Sequence, residues 1–276
     1  MPNIRTNGIL TYYESRGRGT PLVFIHGLTA SHKAWSAQVE HFKKQYRTIT
    51  YDLRGHAQSS SAKGAYSIEQ MADDLNALLN ALNIKKPVLC GLSLGGMIAQ
   101  AYAVKYPQKL SALVLSDTLT KEPFGMLETL EQLITPKPMF GEKRNTLIAR
   151  AYTGKSRFKH AFERAYTRAA YLFLRKKPSP IQKKIIHEFE SFNRTQLIKH
   201  INAIHAFKGV MLNAISVPTL VLVGALEPRI IANESKQLAK HIPHATLCTI
   251  PGSVHVSNVE NPQQFNVELE HFLKKY

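Results

Sequence analysis

Ser93 stands between Gly91 and Gly95, with Gly96 directly after, in Gly91-Leu-Ser93-Leu-Gly95-Gly96. A serine hydroxyl is a weak nucleophile at neutral pH and reacts only beside a base, which a third group must orient. The G-x-S-x-G spacing suits that chemistry because it lets a strand turn sharply into a helix and leaves the serine on a strained, exposed tip. A side chain at either flanking glycine would clash in such a turn. The flanks are of the required kind. Val88, Leu89 and Cys90 form a short apolar run of the sort buried in a parallel sheet, and Met97, Ile98, Ala101, Tyr102 and Lys105 follow at helical spacing up to Pro107. A phosphate-binding loop fits less well, since no Lys-Ser or Lys-Thr follows the glycines. A glycine-rich turn that only packs a helix on a sheet is the plainer alternative.

The elements that must position Ser93 alternate along the chain. Asn7-Gly8 between residues 4–6 and 9–13 is a strong hairpin signal, so two antiparallel strands open the chain. Strands are then predicted over 22–25, 48–51, 110–115, 218–223 and 245–250, besides the one leading to Ser93. Helices are predicted over 33–46, with Trp35, Val39 and Phe42 on one face, and from Ser67, which forms a capping box with Gln70. Further helices are predicted over 231–242 and 262–275, the last with Asn261 as cap and Pro262 in its first turn. Such alternation gives a mostly parallel central sheet with helices on both faces. Residues 119–212 interrupt it with helical stripes, Leu197, Ile201 and Ile204 forming the last. The organisation expected is therefore an α/β core of residues 1–118 and 213–276 and a helical cap, or lid, of residues 119–212. An insertion after a strand of an open α/β sheet lies above the strands' carboxyl ends, where ligands bind.

Five motifs, spread over nearly the whole length, carry a resemblance to the α/β-hydrolase family: His26-Gly27, Asp52-Leu-Arg-Gly-His56, Gly91 to Gly96, the Gly-x-x-acid turn at Gly224 to Glu227, and Gly252-Ser-Val-His255. The stretch GLSLGGMIAQ is most similar to the 3-oxoadipate enol-lactonase, cofactor-free haloperoxidase and small esterase branch. The resemblance implies the α/β-hydrolase fold and the chain order serine, acid, histidine, which Ser93, Glu227 and His255 supply. It also implies an oxyanion hole made of the backbone amides of Leu28 and Leu94. Glu227 departs from the aspartate usual at this turn, and Asp117, at the end of the preceding strand, is the rival acid. His26 is expected to brace its loop, and the loop from Asp52 to His56 to be structural, Ala57 replacing a frequent family glycine. Trp35, the sole tryptophan, either reaches the substrate pocket or packs its helix.

Expected activity is that of a serine esterase cleaving a carboxylic ester or lactone through an acyl-enzyme, with no cofactor and no metal. Hydrolysis of a carbon-carbon bond, cofactor-free perhydrolysis and a non-catalytic ligand receptor are the alternatives, since one triad serves several chemistries. The formal net charge is +17, with fifteen Lys and Arg against four Glu between residues 141 and 200. A solvated helical face is the bland reading of that charge. The sharper one is docking of an acidic acyl carrier protein, by resemblance to methyl esterases acting on pimeloyl-acyl-carrier-protein in biotin synthesis. Nucleic acid is not expected, because no recognition module is visible. The first residues lack an apolar signal core and no stretch approaches 18 apolar residues, so a cytoplasmic monomer or homodimer without a membrane span is expected. The two cysteines, Cys90 and Cys248, lie in apolar strand patterns and read as small buried side chains.

Overall fold

The computed structural model describes residues 3–121 and 192–275. Elements are numbered among these residues. The strands are β1 (Asn3–Thr6), β2 (Ile9–Arg16), β3 (Pro21–Ile25), β4 (Arg47–Tyr51), β5 (Val88–Leu92), β6 (Ala112–Ser116), β7 (Thr219–Gly224) and β8 (Ala245–Ile250). They form one sheet in the order β1-β2-β4-β3-β5-β6-β7-β8. The first two pairings, β1 with β2 and β2 with β4, are antiparallel; β4 through β8 run parallel. Asn7 and Gly8 both take positive φ, 43° and 81°, as the tight hairpin between β1 and β2 requires. The chain leaves β3 toward β4 and leaves β5 toward β6, so the connections diverge at the β3/β5 boundary. A crevice forms at the carboxyl ends of strands where that happens.

The helices are α1 (Ser36–Phe42), α2 (Ile68–Ala81), α3 (Leu94–Lys105), α4 (Arg194–Ala206), α5 (Arg229–His241), α6 (Ser257–Glu260) and α7 (Pro262–Leu273). Period-two alternation in the central strands feeds two cores. In β3, Leu22 and Phe24 join Trp35, Phe42, Phe265 and Leu269 of the α1/α7 face, while Val23 and Ile25 join Leu75, Met97, Ile98 and Leu238 of the α2/α3/α5 face. Burying each such side chain stabilises the fold by about 1.5–3 kcal/mol. The predicted caps form: Ser67 Oγ accepts the Gln70 N–H at 3.0 Å, and Asn261 Oδ1 accepts that of Gln264 at 3.3 Å, with Pro262 in the first turn.

Three details differ from the sequence reading. The helix expected over 33–46 is a 3-10 turn (His32–Trp35) followed by α1, which ends at Phe42 because the chain must turn to enter β4 at Arg47. Trp35, Val39 and Phe42 are nonetheless buried, as their spacing requires. Cys90 is buried in the central strand β5, but Cys248 is only half-buried, because β8 is an edge strand; both thiols are free. Residues 3–121 and 195–275 belong to one compact unit, which includes residues 119–121 and 195–212 of the expected insertion. There Leu197 and Ile201 of α4 are buried and Ala203 joins the α2/α3 core, so this helix packs as part of the α/β body. The rest of the expected insertion, residues 122–191, lies outside the described residues.

The β5-to-α3 turn has no room for side chains at its glycines. A Cβ on Gly91 would overlap the Gly95 carbonyl, and one on Gly95 would overlap the Ile25 and His26 carbonyls of the β3 end. Gly95→Ala should therefore lower stability by about 1–3 kcal/mol through overpacking against backbone that cannot yield. Chemical denaturation of the two proteins checks this; equal stability would contradict the close approach.

Candidate active site

Ser93 follows β5 directly and takes φ 52° and ψ −115°, a backbone conformation that side chains rarely adopt. Such strain costs roughly 1–3 kcal/mol and persists only where surrounding contacts over-determine it. Here they do. The Ser93 N–H donates to the Ser116 carbonyl at 2.9 Å, and the Ser93 carbonyl accepts from Thr118 Oγ1 at 2.6 Å, from the Gly96 N–H at 2.9 Å and from the Met97 N–H at 3.2 Å. Thr118, which carried no signal in the sequence, thus anchors the turn from the neighbouring strand end. The result is a hydroxyl presented at the carboxyl edge of the sheet.

His255 reaches Ser93 from the loop between β8 and α6. Its Nε2 lies 2.9 Å from Ser93 Oγ, and its Nδ1–H donates to Glu227 Oε1 at 2.8 Å. With Nδ1 carrying the proton, Nε2 is the acceptor for the serine O–H. Glu227 sits in the turn after β7, its side chain almost wholly buried. Acid turn and base loop are tied to each other: the Leu226 N–H donates to the Ser253 carbonyl at 2.9 Å, and a Cβ on Gly224 would overlap the Ser253 and Val254 carbonyls. The Val254 N–H is in turn held by Glu260 Oε2 of α6 at 2.6 Å. Ser93, Glu227 and His255 therefore meet as their order along the chain suggests, although 134 and 28 positions separate them in sequence.

Electrostatics stabilise the imidazolium that forms when Nε2 takes a proton. Partial withdrawal from water lowers the His255 pKa, but the charge and hydrogen bond of Glu227, joined by Asp117 and Glu260, outweigh it and raise the value to about 9. Asp117 is not the histidine's hydrogen-bond partner. Its carboxylate is fully buried and accepts from the Gly224 N–H at 2.8 Å, from Ser257 Oγ at 2.5 Å and N–H at 3.2 Å, and from Ser116 Oγ at 2.9 Å. Burial, with Glu227 nearby, raises its pKa to about 6 against the opposing pull of His255, Ser257 and Gly224.

The loop after β3 lies against the serine. A Cβ on Gly27 would stand in van der Waals contact with Ser93 Cβ, at 3.4 Å. Among the described residues the Leu28 amide makes no hydrogen bond, and the Leu94 amide is the first of α3 and has no acceptor within its helix. Histidines brace this loop. The Leu53 N–H donates to His26 Nε2 at 3.0 Å while His26 Nδ1–H donates to the Gly27 carbonyl at 2.8 Å; the N–H of Thr29, itself at φ 64°, donates to His56 Nε2 at 3.1 Å. Burial depresses the pKa of both rings, keeping their Nε2 atoms free of a proton and able to accept. Asp52 fixes the neighbouring turn by accepting from His32 and from the Gln58 N–H, and Arg54 makes a buried bidentate pair with Asp74. Ala57 holds φ 40°, which explains why glycine suits this position.

Of its two expected roles, Trp35 shows the packing one. It is fully buried on the α1/α7 side of the sheet, stacked on Phe24 at 4.8 Å and tilted against Phe265 at 5.9 Å, because β3 turns Phe24 toward that face. Among the described residues no group of three or more His, Cys, Asp and Glu side chains could hold a metal ion, and no helix is long and apolar enough to cross a membrane.

The electrostatics can be read directly by NMR. The His255 imidazole should titrate above its ordinary value of about 6.5 in the wild type, and Glu227→Gln, which removes the negative charge, should bring it down toward that value. An unchanged midpoint would contradict the pairing.

Comparison with known proteins agrees with this geometry. The family model described as the alpha/beta hydrolase fold matches residues 20–262. A 3-oxoadipate enol-lactonase of Acinetobacter baylyi is 30% identical over 92% of this chain and 89% of its own length. The structure of a thermophilic esterase from Thermogutta terrifontis superposes with a TM-score of 0.80 at 26% identity, covering 100% of this chain and 99% of that one. The enol-lactonase of Burkholderia xenovorans, 23% identical, shares the fold with a TM-score of 0.79 over 99% of this chain and 100% of its own. The mostly parallel sheet, the strained serine after its central strand and a family match across most of its length make the chain a member of the α/β-hydrolase family.

Proposed function

We propose that the chain is a serine hydrolase that cleaves a carboxylic ester or lactone through an acyl-enzyme, with Ser93 as nucleophile, His255 as general base and Glu227 as orienting acid. The reading rests on one observation above all: Ser93 Oγ lies 2.9 Å from His255 Nε2 while His255 Nδ1 is engaged by Glu227 at 2.8 Å. In the first step Ser93 Oγ attacks the carbonyl carbon and its proton passes to His255 Nε2. The new imidazolium is stabilised by Glu227. The amides of Leu28 and Leu94 take the developing oxyanion, a donor of this kind being worth about 2.7–4 kcal/mol. As the tetrahedral intermediate collapses, the carbon-oxygen bond breaks and His255 returns the proton to the leaving alkoxide, which in a lactone stays attached to the acyl group. Water, deprotonated at the same Nε2, then attacks the acyl-enzyme; the acid leaves and Ser93 regains its proton.

The relatives support an ester or lactone over the other chemistries open to this triad, since one carries enol-lactonase in its name and another esterase. The excess of basic residues between 141 and 200 supports a second reading of the substrate, an acyl group presented on an acidic carrier protein and steered by those charges. That segment is proposed to act as the cap.

A single panel separates these readings: p-nitrophenyl esters of rising chain length, lactones, and a methyl ester carried on acyl carrier protein at low and moderate salt. Hydrolysis of esters or lactones is expected, falling by about 10⁵–10⁶-fold in Ser93→Ala and by about 10³–10⁴-fold in Glu227→Gln. A carrier-bound ester turned over faster than the free one, with a rate that falls as salt rises, would favour the carrier reading. Full turnover in Ser93→Ala would refute the mechanism.

A further inference from the structure

We propose that Asp117 is a positioning residue that sets the acid turn and the base loop in one common register, so that Glu227 and His255 arrive together at Ser93. The proposal rests on the hydrolase reading above. Asp117 lies at the end of β6, between β5, which carries Ser93, and β7, which carries the acid turn. Its backbone takes a left-handed φ of 44° while its N–H still donates to the Leu222 carbonyl at 2.9 Å, so the residue stays fixed to β7 as its side chain turns toward the loops. Carboxylate Oδ1 then takes the N–H of Gly224, three positions before Glu227, and Oδ2 takes both the N–H and Oγ of Ser257, two positions after His255.

Each neighbour of Asp117 holds the third member. The Ser116 carbonyl accepts the Ser93 N–H, and Thr118 Oγ1 donates to the Ser93 carbonyl. Three consecutive residues at one strand end therefore touch the segments carrying nucleophile, acid and base. The role calls for a carboxylate. An ionised carboxylate offers about four acceptor sites on its two oxygens, and here four donors converge on it: Gly224 N–H on Oδ1, and Ser257 N–H, Ser257 Oγ and Ser116 Oγ at 2.9 Å on Oδ2. No other side chain of this size accepts from all four at once. The fold alone does not explain it, because a fully buried charge beside a second carboxylate, Glu227, is costly where a neutral residue could close the strand. The charge also faces His255 and adds to the field that favours its imidazolium.

The test is turnover per active site, with active sites counted by a fluorophosphonate that labels Ser93. In Asp117→Asn the amide keeps an oxygen for the Gly224 N–H but sets an NH₂ group against the Ser257 N–H. Turnover per labelled site is expected to fall about 10–100-fold, as for a misplacement of up to ~1 Å, with KM little changed. The acid limb of kcat/KM against pH should move to lower pH, because a negative charge beside His255 is gone. Ser257→Ala, which keeps the carboxylate and removes its closest donor, serves if Asp117→Asn does not fold; it should lose several-fold in turnover per site with the limb unmoved. A wild type labelled normally while Asp117→Asn, or Ser257→Ala in its place, keeps full turnover per site would reduce Asp117 to a brace of the fold and overturn the proposal alone. A wild type that takes no label would overturn the hydrolase reading, and the proposal with it.

Discussion

A serine forced into a left-handed backbone at the end of a fully buried strand is the constraint on which the rest of this site depends. Its φ of 52° puts the hydroxyl clear of both strand and helix, a placement that neither regular element could give. The strain is opposed from three directions. Gly91 and Gly95 let backbones approach where a Cβ would collide, the Ser116 carbonyl and Thr118 hydroxyl grip both polar groups of the Ser93 backbone, and the first turn of α3 closes on its carbonyl. None of these contacts is strong alone; together they leave the turn no relaxed alternative.

From that point the parallel sheet does the positioning. Side by side, β3, β5, β6, β7 and β8 release their chains at one edge, so the loop of His26 to Thr29, the elbow, the Asp117 junction, the acid turn and the base loop are neighbours by topology. Side chains need only short reaches to meet. The loops are then locked by polar contacts. His26 and His56 stay neutral and accept backbone amides, Asp52 and Asp117 collect donors, and Arg54 pairs with Asp74. His255 is tuned the other way, toward the charged form that it must adopt when it takes the serine proton.

Much of this was legible in the sequence because it rests on local rules. Strand and helix periods, the Asn7-Gly8 hairpin and the Ser67 and Asn261 caps are statements about neighbouring residues, and the elbow is a spacing of five. The resemblance carried the long-range part, pairing Ser93 with Glu227 and His255. Contacts that depend on which strands lie side by side were not legible. Thr118 reaches Ser93 only because β6 follows β5 in the sheet, and Asp117 offered two plausible roles until its donors, Gly224 and Ser257, were in view. Trp35 was open between two roles for the same reason: which sheet face a helix covers decides whether an aromatic meets a ligand or a core. The short α1 and the half-buried Cys248 follow from the entry into β4 and the edge position of β8, facts of sheet order that periodicity does not encode.

Covalent capture of substrate by the strained serine can be followed in pre-steady-state hydrolysis of a p-nitrophenyl ester. A burst of p-nitrophenol approaching one equivalent per chain is expected, with an acyl adduct of matching mass on the peptide containing Ser93 after acid quench. Substrate turnover in which no adduct accumulates under any ester of the series, or one that maps to another residue, would contradict it.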